Sequence, residues 1–213
     1  SLQGNVESAI NAYKESVDSL ILLTDLNPAL QDLSRDRILM YKKIGDLYAQ
    51  DSSWEDALNF FIVRLNLVQD LLAIDPQDIS LQEEFYLANN SVAEMYGRTE
   101  NFTDSLDYFL SAHGILRTIL ERNPDRTPLV WNLAGLSNQI GILLLDLDRS
   151  VEAREYLRES VDILEPMTEK DPKNVQIRLD LVGAYLNTIS SFGEENQGES
   201  RAEIVQLFNL ASG

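Results

Sequence analysis

The chain has 213 residues and no cysteine, so its core must come from apolar burial alone, which that length can supply. Seventeen Lys and Arg against 35 Asp and Glu leave a formal charge of −18, which repels nucleic-acid phosphates and anionic lipid surfaces. No stretch is unbrokenly apolar for the ~18 residues that a membrane span requires, so neither nucleic-acid binding nor membrane insertion is expected.

Four helix-stopping dipeptides mark the chain: Asn27-Pro28, Asp75-Pro76, Asn123-Pro124 and Asp171-Pro172. Asn or Asp before Pro disfavours helix and initiates a turn. Each pair lies 48 residues after the last, and other positions obey the same interval. Ala9, Ala57, Ser105 and Ala153 form a small column, followed four residues on by Tyr13, Phe61, Phe109 and Leu157. Gly45, Ala93 and Gly141 form a second small column, preceded by Ile44, Val92 and Ile140.

In chain order, the first unit (about 1–28) opens with Val6, Ala9, Tyr13, Val17 and Leu20, the apolar stripe of a single helix. The second (29–76) reads as two helices, Leu33 to Gln50 and Trp54 to Ile74, broken at Asp51-Ser52-Ser53. In the latter helix Trp54, Ala57, Leu58, Phe61, Leu65, Val68, Leu71 and Leu72 recur at three- and four-residue steps, which lines one helical face. Units 77–124 and 125–172 repeat this pattern. The last, 173–213, is partial: a helix over about 175–192 carries Ile189 in the small column, and Ile204, Val205, Leu207, Phe208 and Leu210 crowd the remainder. Terminal repeats need polar outer faces, so the chain reads as a segment excised from a longer repeat protein, the alternative being a complete small protein whose ends pair with another copy; the exposed apolar ends are expected to self-associate. No strand pattern is found; the expected class is all-α, a solenoid of eight or nine helices in stacked antiparallel hairpins forming one repeat domain over 1–213.

Tyr41, Ile44, Gly45, Tyr48, Ala57, Phe61 and Pro76 together resemble the tetratricopeptide-repeat signature of a large residue, Leu-Gly, Tyr, Ala, Phe and Pro. Val92, Ala93, Tyr96, Phe109 and Pro124 match it again, as do Ile140, Gly141, Leu144, Ala153 and Pro172. The unit is longer than the usual ~34 residues. The excess is about seven residues per helix, close to two turns at ~3.6 residues each, so the added segments keep the same face buried.

Chemistry is hard to place on this chain. With one histidine and no cysteine, thiolate zinc sites, Cys-His nucleophiles and two-histidine metal helices are all removed. His113 falls on a buried column between Leu65 and Val161, which is expected to make it a packed or partly exposed helical histidine, the alternative being a pH-sensitive or ligand-binding role. Asp146-Leu147-Asp148 begins like a calcium loop, but Leu157 stands where a bidentate Glu is needed. The glycines do not form a phosphate loop. No enzyme activity, cofactor or metal is expected.

The resemblance implies a partner surface on the first helix of each unit, lining a concave groove that holds a peptide or protein segment. Counted from the small column, its inward positions are Lys42, Asp46 and Gln50, then Asn90, Glu94 and Arg98, then Asn138, Ile142 and Asp146. Some relatives clamp a C-terminal carboxylate there with Lys and Asn. Lys42 fits, but Asp46 replaces the Asn and the third unit lacks a cation. The chain is therefore expected to be a non-catalytic interaction module or scaffold favouring a basic partner; the alternative is a regulatory or sensor segment controlling a catalytic domain outside this chain. The absence of cysteine favours a reducing cytoplasm.

Overall fold

The computed structural model describes residues 2–26 and 33–192. Among them are eight α-helices and no strand: α1 (Leu2–Leu26), α2 (Leu33–Gln50), α3 (Trp54–Ile74), α4 (Ile79–Arg98), α5 (Phe102–Arg122), α6 (Thr127–Asp146), α7 (Ser150–Lys170) and α8 (Val175–Ser190). The Asn27-Pro28 turn and the 204–210 stretch lie outside the described residues. The repeat is exact at the helix ends. Helices α2, α4 and α6 end 48 residues apart, and α3, α5 and α7 begin and end 48 apart.

Two compact units divide the chain, 1–108 and 109–213, with the division inside α5. In the first, α1 packs on α2, α2 on α3 and α3 on α4. Its core joins Ile10, Val17, Tyr41 and Ile44 between α1 and α2, and Ala57, Phe61, Leu65, Ala88, Val92 and Met95 between α3 and α4. Tyr48 stacks on Phe60 and Tyr96 on Tyr108, each pair with centroids 5.5 Å apart, so this aromatic contact also obeys the repeat. In the second unit α6 packs on α7 and α8, and Ala134, Val161, Leu164, Ile177, Ala184 and Tyr185 form a core cluster.

The small columns sit where two helices come closest. A Cβ on Gly45 would lie 2.5 Å from Phe61 Cε1, and one on Gly141 would lie 2.5 Å from Leu157 Cδ2 and 3.3 Å from the Ala153 carbonyl. Neither contact leaves room for a side chain. In the intervening hairpin both small positions change. Ala93 replaces Gly and Ser105 replaces Ala, and the buried Ser105 hydroxyl donates to the Ala93 carbonyl at 2.8 Å.

Each hairpin turn is the same helix stop. Ser52, Glu100 and Asp148 have φ of 60°, 61° and 58°, again 48 residues apart. The amides of Ser53, Asn101 and Arg149 donate to the carbonyls of Tyr48, Tyr96 and Leu144 at 2.9, 2.9 and 2.8 Å, while those of Ser52, Glu100 and Asp148 donate three residues back. This is the bonding of a Schellman motif, whose left-handed residue is usually Gly. Here three ordinary residues hold that conformation. At the far ends Asp78 Oδ1 accepts from the Leu81 amide at 3.0 Å and Asn174 Oδ1 from the Ile177 amide at 3.2 Å, capping α4 and α8. Arg126, at the equivalent position before α6, provides no side-chain cap, and Pro128 stands in that helix's first turn.

By length and mean hydropathy α3 (1.5) and α6 (1.3) are each apolar enough to cross a membrane. Neither is an unbroken apolar run, since Arg64 and Asp70 interrupt α3 and Asn132, Ser137, Asn138 and Gln139 interrupt α6. Half of the apolar window of α6, and 28% of that of α3, is buried within the fold.

Candidate functional site

The inward positions of the even-numbered helices form two faces, one in each unit. In the first, α2 and α4 lie side by side, and Arg35, Ile38, Leu39, Lys42, Ser80, Leu81 and Glu84 line a cleft of about 240 Å³ between them. Further along, Lys42 Nζ donates to Asp46 at 2.6 Å, and Asn90 Nδ2 donates to Glu94 at 2.6 Å. The two pairs occupy equivalent positions, one helical turn apart in each helix. Arg98 stands over the Trp54 ring, 5.5 Å from its centroid, and attracts Glu94.

Glu94 is the least comfortable charge on this face. Crowding by surrounding atoms pushes its carboxyl above the usual carboxylate range, and repulsion from Asp46 adds to this, against the hydrogen bond from Asn90 and the charge of Arg98. Its side chain nevertheless remains open to solvent, so a partner's cation could reach it.

The second unit carries different chemistry at the same register. Asn138 on α6 is half-buried and accepts from Asn187 Nδ2 of α8 at 2.9 Å. Ile142, equivalent to Asp46 and Glu94, is 37% exposed. Asp146 is exposed at the end of α6. Thus Asp46, Asn90, Glu94 and Arg98 are brought together in one unit, with Lys42 paired to Asp46, whereas Asn138 pairs with another carboxamide, Asn187, in the other.

The net charge is distributed unevenly. Helices α2, α4, α6 and α8 hold six Lys or Arg and seven Asp or Glu, while α1, α3, α5 and α7 hold seven and sixteen. The acidity on which the expectation of a basic partner rested therefore lies mainly on the odd-numbered helices. On the even-numbered ones, only the local arrangement of Asp46 and Glu94 bears on such a partner.

Two polar systems inside the units were not legible beforehand. Arg64 on α3 is fully buried; its Nη2 donates to Glu84 at 2.7 Å and its Nη1 to Ser91 at 3.4 Å, while Nε has no partner. Its only sequence signal was a cation beside the apolar stripe of α3. His113 is buried as expected, but its company is new. Nε2 lies 2.7 Å from Glu159 Oε2, which also accepts from the buried Ser137 hydroxyl at 2.8 Å, and Tyr156 meets the ring edge-on at 5.5 Å. Arg117 approaches the other Glu159 oxygen at 3.5 Å.

Burial raises the Glu159 carboxyl, but hydrogen bonds from His113 and Ser137 and the nearby cations outweigh it, holding the group below its usual range. The order of contacts matters chemically: serine donates to the carboxylate rather than to the histidine, so the trio lacks the base-to-nucleophile contact of a hydrolase triad. Among the described residues no group of three or more metal-ligating side chains is found.

No protein-family model matches the chain, and no curated protein matches it. Solved structures do. A putative kinesin light chain from P. anserina with nearly identical TPR-like repeats aligns over 99% of this chain and 94% of its own at 11% identity, with a TM-score of 0.59. MamA aligns over 99% and 89% at 15% identity and 0.55, and BtubC (BKLC) from P. vanneervenii over 97% and 89% at 14% and 0.51. Identities this low speak to fold alone. With the helix order, the close contacts and the 48-residue interval, they give the chain an all-α helical-repeat fold of the tetratricopeptide-like type.

Proposed function

We propose that this protein is a non-catalytic interaction module that holds a peptide or protein segment along its even-numbered helices. The observation carrying this reading is the convergence of Asp46, Asn90, Glu94 and Arg98 from two adjacent helices, on an open face beside an apolar-walled cleft. A basic side chain entering between Asp46 and Glu94 would relieve their repulsion, while an apolar neighbour would occupy the cleft formed by Ile38, Leu39 and Leu81. The second unit presents a face of its own, with Asn138 on α6 and Asp146 at the end of that helix. Because Lys42 already neutralises Asp46, the electrostatic part is local rather than a field of the whole chain.

The test is titration of a captured basic peptide against wild type and the Asp46→Lys, Glu94→Lys double reversal at two salt concentrations. The reversal is expected to weaken binding by about 1–3 kcal/mol, and salt to weaken it in the wild type. A ligand bound equally by both proteins would remove this face from the account. Self-association belongs to the same proposal: Leu22, Leu23 and Leu26 on α1, and Val175, Leu179 and Leu186 on α8, are exposed. Sedimentation at micromolar concentration should show a species larger than a monomer, and a clean monomer would remove that part.

A further inference from the structure

We infer that α8 is a self-pairing surface, on which a second copy of this chain lays its own α8 antiparallel; the inference rests on the proposed self-association and names the helix that carries it. Val175, Leu179 and Leu186 follow one another at four- and seven-residue steps, which places them on one side of α8, and they are 60%, 60% and 51% exposed. The repeat gives that side a role. Its counterparts 48 residues earlier are Thr127, Trp131 and Asn138 of α6. Trp131 and Asn138 are residues that α6 turns toward α8: the indole donates to Asp180 at 2.8 Å, and Asn138 accepts from Asn187 at 2.9 Å. The stripe on α8 therefore continues the stacking surface that α6 offers to α8, while α8 itself packs on α6 and α7 through its other sides.

Charge and shape both favour a second copy as the occupant. The whole chain carries −18, so two copies repel unless they meet where charge is balanced. With one Arg and one Asp, α8 is formally neutral, and none of α1 to α7 is. Its Asp180 is engaged within the unit, accepting from Trp131 through one oxygen and from Gln176 through the other, on the side of α6. Shape is supplied by Gly183, four residues after Leu179 and three before Leu186, where a Cβ would meet nothing within 4 Å. Gly45 and Gly141 each receive a large side chain from a neighbouring helix, Phe61 and Leu157, whereas Gly183 receives none among the described residues. Two α8 helices laid antiparallel, with Leu179 of each over Gly183 of the other, fill both hollows at once and bring Val175 of each copy beside Leu186 of the other. Such a contact buries the apolar stripe, and being isologous it closes at two copies.

The test is sedimentation equilibrium of the full chain at micromolar concentration, in low and in moderate salt. The wild type is expected to form a dimer that tightens as salt screens the like charge of the two copies, the opposite of the response expected for a basic peptide. Leu179→Glu puts charge on the stripe and Gly183→Lys fills the hollow, and each should raise the dimer dissociation constant by about tenfold or more. Leu179 is mostly exposed and Gly183 has open space around it, so neither variant should lower the melting temperature of the monomer. An equimolar mixture of the two should regain the dimer, because the antiparallel register sets the carboxylate of one variant against the ammonium of the other. Leu22→Glu on α1 is the control and should change the dissociation constant less than about twofold. A dimer weakened by the control instead, or one weakened by Leu179→Glu that the mixture fails to restore, would overturn the α8 pairing and leave self-association standing. A wild-type monomer would overturn both, and a lowered melting temperature in its Leu179→Glu variant would then assign the stripe to the chain's own residues 204–210.

Discussion

The two units are built on one repeat, yet each assembles a different kind of polar system against its core. In the first, the buried group is a cation: Arg64 is fully enclosed, and Glu84, its partner, reaches it from the more open side. In the second a half-buried carboxylate, Glu159, collects the buried His113 and Ser137 together with Arg117. Their outward faces differ likewise, with ion and amide pairs on α2 and α4 and a carboxamide pair spanning α6 and α8. The 48-residue interval thus dictates where helices stop and touch. It leaves the polar chemistry at equivalent positions free to diverge.

The largest effect should come from separating the first of these systems asymmetrically. Glu84→Ala leaves the Arg64 charge buried without its counter-ion and should destabilise the fold by about 3–5 kcal/mol. Arg64→Met leaves Glu84 free to hydrate and should cost much less. Urea melts of the two variants check this; equal losses would mean that the buried cation is not what sets the energy.

In the second unit Glu159→Ala leaves the buried His113 ring without its carboxylate and the Ser137 hydroxyl with the Leu133 carbonyl alone, and should cost about 1–3 kcal/mol near neutral pH. Because the Glu159 carboxyl is held below its usual range in the folded state, its contribution is present above the unfolded value of about 4.3 and is lost as pH falls through the folded one. The stability gap between wild type and Glu159→Ala should therefore narrow below about pH 4. A gap that widened there would reverse the assignment of Glu159 as a stabilised anion.

The smallest effect concerns a feature that the two units share. Glu100 holds a left-handed conformation at φ of 61°, which disfavours a residue with a Cβ by roughly 1–2 kcal/mol. Glu100→Gly should raise stability by about 1 kcal/mol, less the greater freedom that Gly gives the unfolded chain. A lowered melting temperature would show that the Glu100 side chain contributes more than its backbone strain takes away.

Much of the architecture could be read from residue spacing because contacts that recur must use residues that recur. Gly45 and Gly141 face Phe61 and Leu157 with no room for a Cβ, and that steric demand is what the small columns record. The hairpin turns were located without being understood: Ser52, Glu100 and Asp148 adopt a conformation normally announced by Gly, and none of the three is Gly. Arg64 was invisible for a related reason. A long cation on a helix ordinarily reaches water, and only the tertiary position of Glu84 explains one that does not. His113 was placed correctly in the interior, but Glu159 lies 46 residues away, and no local pattern ties the two. The segregation of charge onto the odd-numbered helices became countable only with helix boundaries in hand, because whole-chain charge alone assigns it to neither set of helices.

The central functional claim is that partners engage the even-numbered helices, and the lack of native cysteine allows a direct measurement of it. Single cysteines are introduced at Asp46 and Ile142 on that face, and at the exposed Val63 and Val151 on α3 and α7. Their rates of maleimide labelling are then compared with and without a saturating concentration of the captured basic peptide. The account predicts slowed labelling at 46 or 142 with 63 and 151 unchanged, whereas protection of 63 or 151 with 46 and 142 left fully reactive would contradict it.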